Sequence, residues 1–335
     1  MINCEQKRKL SIQEKRYIIM REFKGYKKGV NLGGWLSQCD YSDETLNSFI
    51  TEADIERIAS WGIDHVRIPM DYNIFMDNDG TFLDRGFAVV DRALAWCEKY
   101  ELNAVLDLHK TMGFSFDSGH NESGFFERQE LQELFYRLWE ELARRYGSLH
   151  KRVCFELLNE VTDKALIGKW NEISNECIRR IRAIAHDVVI LVGSYWNNSF
   201  SAVKDLAAPY DDKIVYNFHC YEPMVFTHQG ATWTDMIDPA KRMMFEQSLC
   251  CKAYFEELFR SAIEAAEKND TVLYCGEYGV INVATPEDTV KWYKTINAVL
   301  EKYGIGRSAW SYKAMDFGLT DEHLAGVIDE LVKYL

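Results

Sequence analysis

Two glutamates stand where they could do chemistry. One closes the run Phe155-Glu-Leu-Leu-Asn159-Glu160 and the other the run Tyr274-Cys-Gly-Glu277. Two carboxyls facing each other across a pocket can hydrolyse a glycosidic bond. One gives a proton to the leaving oxygen, and the other attacks the anomeric carbon or activates water. The dipeptide Asn-Glu carries little alone, because it recurs at Asn121-Glu122, Asn171-Glu172 and Asn175-Glu176; only Asn159-Glu160 follows an apolar strand. Arg67 lies inside the apolar run His65-Val-Arg67-Ile-Pro69, where a buried guanidinium needs a carboxylate partner. Glu277 is the expected partner, and a purely structural ion pair is the alternative. His109 and His219 end the runs Leu106-Asp-Leu-His109 and Asn217-Phe-His219-Cys-Tyr221, beside the proposed carboxylates. Catalytic zinc usually takes three protein ligands on one face, and HExxH is absent, so neither metal nor cofactor is expected. Of the nine Trp, Trp61, Trp96, Trp139, Trp170 and Trp292 fall on helix-period segments and read as core. Trp35, Trp196, Trp233 and Trp310 fall at strand ends, where an aromatic face could stack on the C–H face of a sugar. Trp310 is the best placed of these.

These groups need a scaffold that gathers strand ends. Short β-rich runs at Gly29–Leu32, His65–Ile68, Ala104–Leu108, Val153–Leu158, Val188–Val192, Ile214–Phe218, Val272–Cys275 and Ser308–Ser311 alternate with helix-period stretches or long connections. One such stretch, Glu44 to Gly62, reads as continuously helical. Alternation over this length implies a parallel sheet, and eight units fit a single-domain (β/α)8 TIM barrel. A doubly wound open sheet is the runner-up, but it expects a glycine-rich phosphate loop after strand one. Asn31-Leu-Gly-Gly-Trp35 does not supply that loop. The domain reading is a leading segment over 1–22, a barrel over 23–335 and an elaborated loop around 222–248. Strand alternation would send Asn159 and Glu160 to opposite faces, so a twist or bulge is expected there.

The chain has 335 residues, 47% of them apolar and 27% charged, with only 5 Pro and 20 Gly. This excludes disordered and collagen-like classes. No apolar run approaches the roughly 18 residues of a membrane span. A net charge of −13 without a basic patch argues against a nucleic-acid partner. A monomer without a membrane or nucleic-acid partner is the expectation. The nine Cys include no CxxC pair and read as small buried hydrophobes in a reducing compartment. The first residues lack the apolar core of a secretory signal, which reads as a cytoplasmic protein.

The runs GVNLGGWLSQ, FITEADIERIASWGIDHVRIPMDY, VLDLH, FELLNE, VYNFHCYEP with FTHQGATW, LYCGEYGV and WSYKAMDF resemble glycoside hydrolase family 5 from about Gly25 onward. The likeness is to the short single-domain bacterial endo-β-glucanases of that retaining barrel clan. The resemblance implies Glu160 as acid/base and Glu277 as nucleophile, with Asn159 bonding the sugar 2-hydroxyl. Arg67 and Tyr221 would orient Glu277, His219 would support Glu160, and His109 and Trp310 would line the subsite before the scissile bond. Trp35 is a further substrate-binding candidate. Two departures bear on substrate preference: Lys110 follows His109 where many relatives keep another His, and Ser194-Tyr-Trp196 replaces a more polar run.

The implied reaction is endo-acting, retaining hydrolysis of β-1,4-glucosidic bonds in cellulose-derived oligosaccharides, carboxymethyl cellulose or mixed-linkage β-1,3/1,4-glucan. It needs the carboxyls about 5–5.5 Å apart. It also needs a Glu160 pKa raised by the neighbouring negative Glu277. A β-mannanase and a non-catalytic carbohydrate-binding barrel are the alternatives. An aldolase or a metal isomerase would want an interior strand Lys or a carboxylate-rich metal cluster, and neither is seen.

Overall fold

A computed structural model describes residues 21–117 and 122–335. Nearly all of the leading segment, with Cys4, lies outside the described residues, as does Asn121. All eight apolar runs are strands: β1 Lys28–Asn31, β2 His65–Asp71, β3 Asn103–Lys110, β4 Val153–Glu156, β5 Ile190–Gly193, β6 Ile214–Cys220, β7 Val272–Tyr278 and β8 Gly306–Ala309. They join in chain order into a closed parallel barrel, with β1 also pairing β8. The expected (β/α)8 barrel is therefore the fold.

Strand ends differ from the sequence reading in ways that matter for the site. β4 stops at Glu156 rather than Leu158, so Glu160 stands four residues beyond it. β7 continues through Glu277 to Tyr278. The stretch from Glu44 to Gly62 is two helices, α1 Asp43–Ser48 and α2 Glu52–Ser60. Thr51 breaks it, with extended backbone at φ −122° while its N–H donates to the Asp54 carboxylate at 2.8 Å. This is a helix start built into the sequence. Four long outer helices follow the same apolar periodicity: α3 Asp84–Lys99, α4 Gln129–Tyr146, α5 Ile167–Arg182 and α6 Lys252–Lys268. After β7 comes α7 Pro286–Tyr303, with Thr285 capping Asp288 and Gly304 ending it in the left-handed region. Between β5 and β6 there is no long helix; short turns at Tyr195–Asn198 and Phe200–Asp205 replace it.

Trp139, Trp170 and Trp292 are wholly buried between strands and helices, as expected. Their indole N–H groups reach the carbonyls of Leu157, Gly193 and Glu222. Large rings can be buried at no polar cost when the one donor is satisfied. Inside the barrel the side chains form layers. The lowest is apolar and includes Tyr26, Val105, Cys154, Leu191, Val215 and Tyr274. Above it lies a charged layer, and above that the cleft. The described cysteines are free thiols, six of them buried. No helix among the described residues is long and apolar enough to cross a membrane.

Candidate active site

The charged layer is organised by Arg67. Its Nε and Nη2 donate to both oxygens of Glu156 at 2.7 and 2.8 Å. Nη2 also reaches Asn159 Oδ1 at 2.9 Å and Asp107 Oδ2 at 3.0 Å. Nη1 donates to Asn31 Oδ1 at 2.9 Å and Glu277 Oε1 at 2.8 Å. One guanidinium thus meets three carboxylates, and both readings of Arg67 hold together: a structural ion pair with Glu156 and Asp107, and a direct bond to Glu277. Burial works against the Arg67 charge, but the Asp107, Glu156 and Glu277 carboxylates outweigh it and hold its pKa well above the usual value. Arg67 is fully enclosed and bonds Glu277 from beneath, the orienting position that the resemblance implied, and Asn159 is fully enclosed beside it. Asn159 is held between Arg67 and, at 3.4 Å, His109 Nε2.

Glu277 reaches the cleft through an irregular strand. Pairing slips between Phe218 and His219 on β6 and between Cys275 and Tyr278 on the β8 side of β7. Cys275 and Tyr278 face the helices, so regular alternation would have turned Glu277 outward with Cys275. The slip turns it inward instead. Gly276 permits this, because its N–H donates to Asn217 Oδ1 at 2.9 Å and a Cβ there would stand 2.6 Å from that oxygen. Tyr221 donates to Glu277 Oε2 at 2.9 Å, so both carboxylate oxygens are held.

Glu160 arrives by a different distortion. Its φ is +46°, a left-handed turn just past the strand, and this is the irregularity that Asn159-Glu160 required. Glu160 Oε1 lies 2.8 Å from His219 Nδ1, and Asn197 donates to Oε2 at 2.8 Å. His219 Nδ1 is also 3.6 Å from Glu277 Oε2. One oxygen from each carboxylate and this nitrogen all lie within 4.8 Å of one another. That spacing belongs to direct attack by a carboxylate rather than to the roughly 6.5–9.5 Å that admits a water between the two. The same three atoms could touch a cation. However, both Glu277 oxygens already receive donors, and the Arg67 charge stands beside them.

Burial raises the Glu160 pKa, against the Asn197 bond and the positive influence of His109 and Arg67. The direction agrees with expectation but the cause does not: enclosure does what the Glu277 charge was expected to do. The two histidines part company. Burial pushes His219 down to about 4. Burial also opposes charge on His109, yet Asp107, at 2.7 Å from Nδ1, wins and raises it.

The cleft above has a volume of about 850 Å³. His109, Glu160, His219, Tyr221, Glu277 and Trp310 all line it. His109 and Trp310 stack at 5.8 Å and 5°. Trp196 and Trp233 line it too, as exposed rings. Trp35 does not. It is fully buried and its indole donates to Leu46 O at 3.1 Å, because the Gly33-Gly34 turn after β1 carries it down onto α1. The sequence reading passed over Asp107, Glu156 and Asn197 as site residues. The first two carried the signal used for Arg67, a charge inside an apolar strand. Nothing local marked Asn197, whose left-handed backbone at φ +57° aims its amide.

A parallel barrel whose strand ends bring two glutamates this close beneath an aromatic-walled cleft defines a retaining glycoside hydrolase. Residues 24–316 match the cellulase domain of glycosyl hydrolase family 5, and the chain belongs to that family. It is 60% identical over 288 residues to cellodextrinase A of Ruminococcus flavefaciens, covering 86% of each chain. It is 40% identical to endoglucanase C of Acetivibrio thermocellus, covering 92% of this chain and 98% of that one. Among solved structures it is similar to Thermotoga maritima Cel5A in complex with mannotriose, at 26% identity and a TM-score of 0.76, covering 92% of this chain and 97% of that one.

Proposed function

We propose that Glu277 is the nucleophile and Glu160 the acid/base in hydrolysis of β-1,4-glucosidic bonds within β-glucans. The carrying observation is the spacing of the two carboxylates, one oxygen of each within 4.8 Å. A Glu277 oxygen attacks the anomeric carbon while the bond to the leaving oxygen breaks, and that oxygen takes the Glu160 proton. Water then gives a proton to Glu160 and attacks the same carbon, and the ester to Glu277 breaks. Burial favours a protonated Glu160 at the start. His219, pushed to about 4, is uncharged near neutral pH and does not supply the proton in its place. Arg67 and Tyr221 hold Glu277 in one orientation. Asn159 is assigned to the sugar 2-hydroxyl, and the stacked His109 and Trp310 to the sugar before the scissile bond.

Short β-glucan chains are the favoured substrates. The name cellodextrinase borne by a relative at 60% identity supports this preference. Mannan is the second reading, favoured by the mannotriose complex of a structural neighbour. Product analysis on cellopentaose, mixed-linkage glucan and mannopentaose, with Glu277→Ala as control, tests the assignment. The expected result is cello-oligosaccharide release by the wild type and none by the variant. Release from mannopentaose alone would move the specificity to mannan, and turnover by the variant would remove Glu277 as nucleophile.

A further inference from the structure

The connection between β5 and β6 carries an asparagine that this mechanism does not use. Asn198 is fully buried, and its backbone stands in the left-handed region at φ +54°. Asparagine tolerates that conformation better than most residues. Two contacts hold the turn in place. Asn197 N donates to Val161 O at 3.1 Å, and Ser199 pairs with His219 in a short parallel bridge. Gly193 makes room for the amide, since a Cβ there would stand 2.1 Å from Asn198 Oδ1. The amide meets the His219 ring on the side away from the carboxyls, with Asn198 Nδ2 3.4 Å from His219 Nε2.

The His219 ring has one proton to place, because burial keeps it neutral near pH 7. Its Nδ1 lies 2.8 Å from Glu160 Oε1 and 3.6 Å from Glu277 Oε2. Two arrangements are open to it. With the proton on Nε2, that N–H would donate to Asn198, and Nδ1 would be a bare lone pair facing two carboxyl oxygens. Glu160 could meet it only by turning its own acid hydrogen into the ring, away from the leaving oxygen. With the proton on Nδ1, that N–H points at the carboxyls and Glu160 Oε1 accepts it. Nε2 is then the bare acceptor, and the Asn198 amide donates to it. Glu160 keeps its hydrogen on Oε2, the oxygen that Asn197 reaches at 2.8 Å. A hydroxyl oxygen can accept that bond and still give its hydrogen. Glu160 and Asn197 both line the cleft.

We propose that Asn198 is a positioning residue for the acid step. Its Nδ2 donates to His219 Nε2, fixes the ring proton on Nδ1 and so leaves the Glu160 hydrogen on Oε2 for the leaving oxygen. This inference rests on Glu160 as the acid in the reading above.

Nitrogen NMR of the His219 ring near pH 7 and kinetics of Asn198→Asp test it, with the ring resonances assigned by their loss in His219→Gln. In the wild type Nδ1 should be protonated and Nε2 bare. Asp keeps the shape of the side chain but, once ionised, only accepts, so Nε2 should gain a proton in the variant. The ring then either turns its tautomer over and binds the Glu160 hydrogen, or becomes an imidazolium, which favours the Glu160 carboxylate. Either way kcat/KM on cellotetraose should fall about tenfold, with less than an about twofold loss on an aryl cellobioside whose leaving group needs no proton. A wild-type ring protonated on Nε2 overturns the proposal. So does an Asn198→Asp enzyme with wild-type kcat/KM on cellotetraose, or one with equal losses on both substrates, which a merely structural role would give. If Asn198→Asp does not fold, the wild-type ring decides: a bare Nε2 upholds the proposal and a protonated one overturns it. A wild type inert on cellotetraose removes the glucan reading, and a bare Nε2 in that same protein still upholds the placement of the proton.

Discussion

The floor of the cleft and its rim are built on opposite principles. On the floor, Arg67, Asp107, Glu156 and Asn217 are fully buried, and every nitrogen of the guanidinium has a carboxylate or amide partner. At the rim, Trp196, Trp233 and Met236 are 53%, 55% and 74% exposed. Trp196, Asn197 and Asn198 run consecutively in the left-handed region at φ +52°, +57° and +54°. Charges must be paired before the substrate arrives, because an unpaired buried charge costs several kcal/mol. Uncharged aromatic rings can stay uncovered, because their exposure leaves no charge unpaired. The floor is therefore fixed in itself, whereas the rim is left open apart from the bond that Asn197 makes to Glu160.

Arg67→Ala attacks that division most severely. It leaves three carboxylates without their counter-ion, so stability should fall by about 3–5 kcal/mol and activity should vanish. Chemical denaturation and turnover measure this, and a folded, active variant would erase the distinction between floor and rim. Glu160→Ala comes next. Its kcat/KM on cellotetraose should fall by about 10²–10⁴-fold, with a much smaller loss of kcat/KM on an aryl cellobioside whose leaving group needs no proton, because kcat/KM reports the first step alone. Equal losses on both substrates would deny Glu160 the role of acid.

Asn197→Ala tests the boundary between the two regions. The Asn197 bond opposes the raised Glu160 pKa, so its removal should raise that pKa further. The acid form would then persist to higher pH, and the alkaline limb of kcat/KM, which reports the free enzyme, should move upward, with only a few-fold change at the optimum. A limb that stays in place or moves down would show that Glu160 does not set it. Trp233→Ala should have the smallest effect, an about threefold higher KM with stability changed by less than about 0.5 kcal/mol. A large loss of stability would show that the rim is part of the core.

What the sequence revealed follows the same division. The eight strands were legible because each is a short apolar run between helical periods, and the two glutamates because each closes such a run. Residues that depend on backbone irregularity were harder to read. That Asn159 and Glu160 needed a distortion was visible from alternation, but its form, a left-handed Glu160, was not. The inward turn of Glu277 depends on a slipped register at Gly276 that no composition signal announces. Trp35 was misread because a strand-end position does not decide which way a ring turns after two glycines; burial and the Leu46 carbonyl decided it. The cause of the raised Glu160 pKa was misread because enclosure is a property of the whole cleft.

The central claim is that Glu277 becomes covalently bonded to the substrate. A 2-deoxy-2-fluoro-β-cellobioside with an activated leaving group tests it, because the fluorine disfavours the positively charged transition states of both steps and the leaving group restores only the first. The account predicts a protein heavier by one fluorocellobiosyl unit, with the label on the peptide containing Glu277. A label on Glu160 or elsewhere, or hydrolysis with no accumulated ester and an inverted first product, would contradict it.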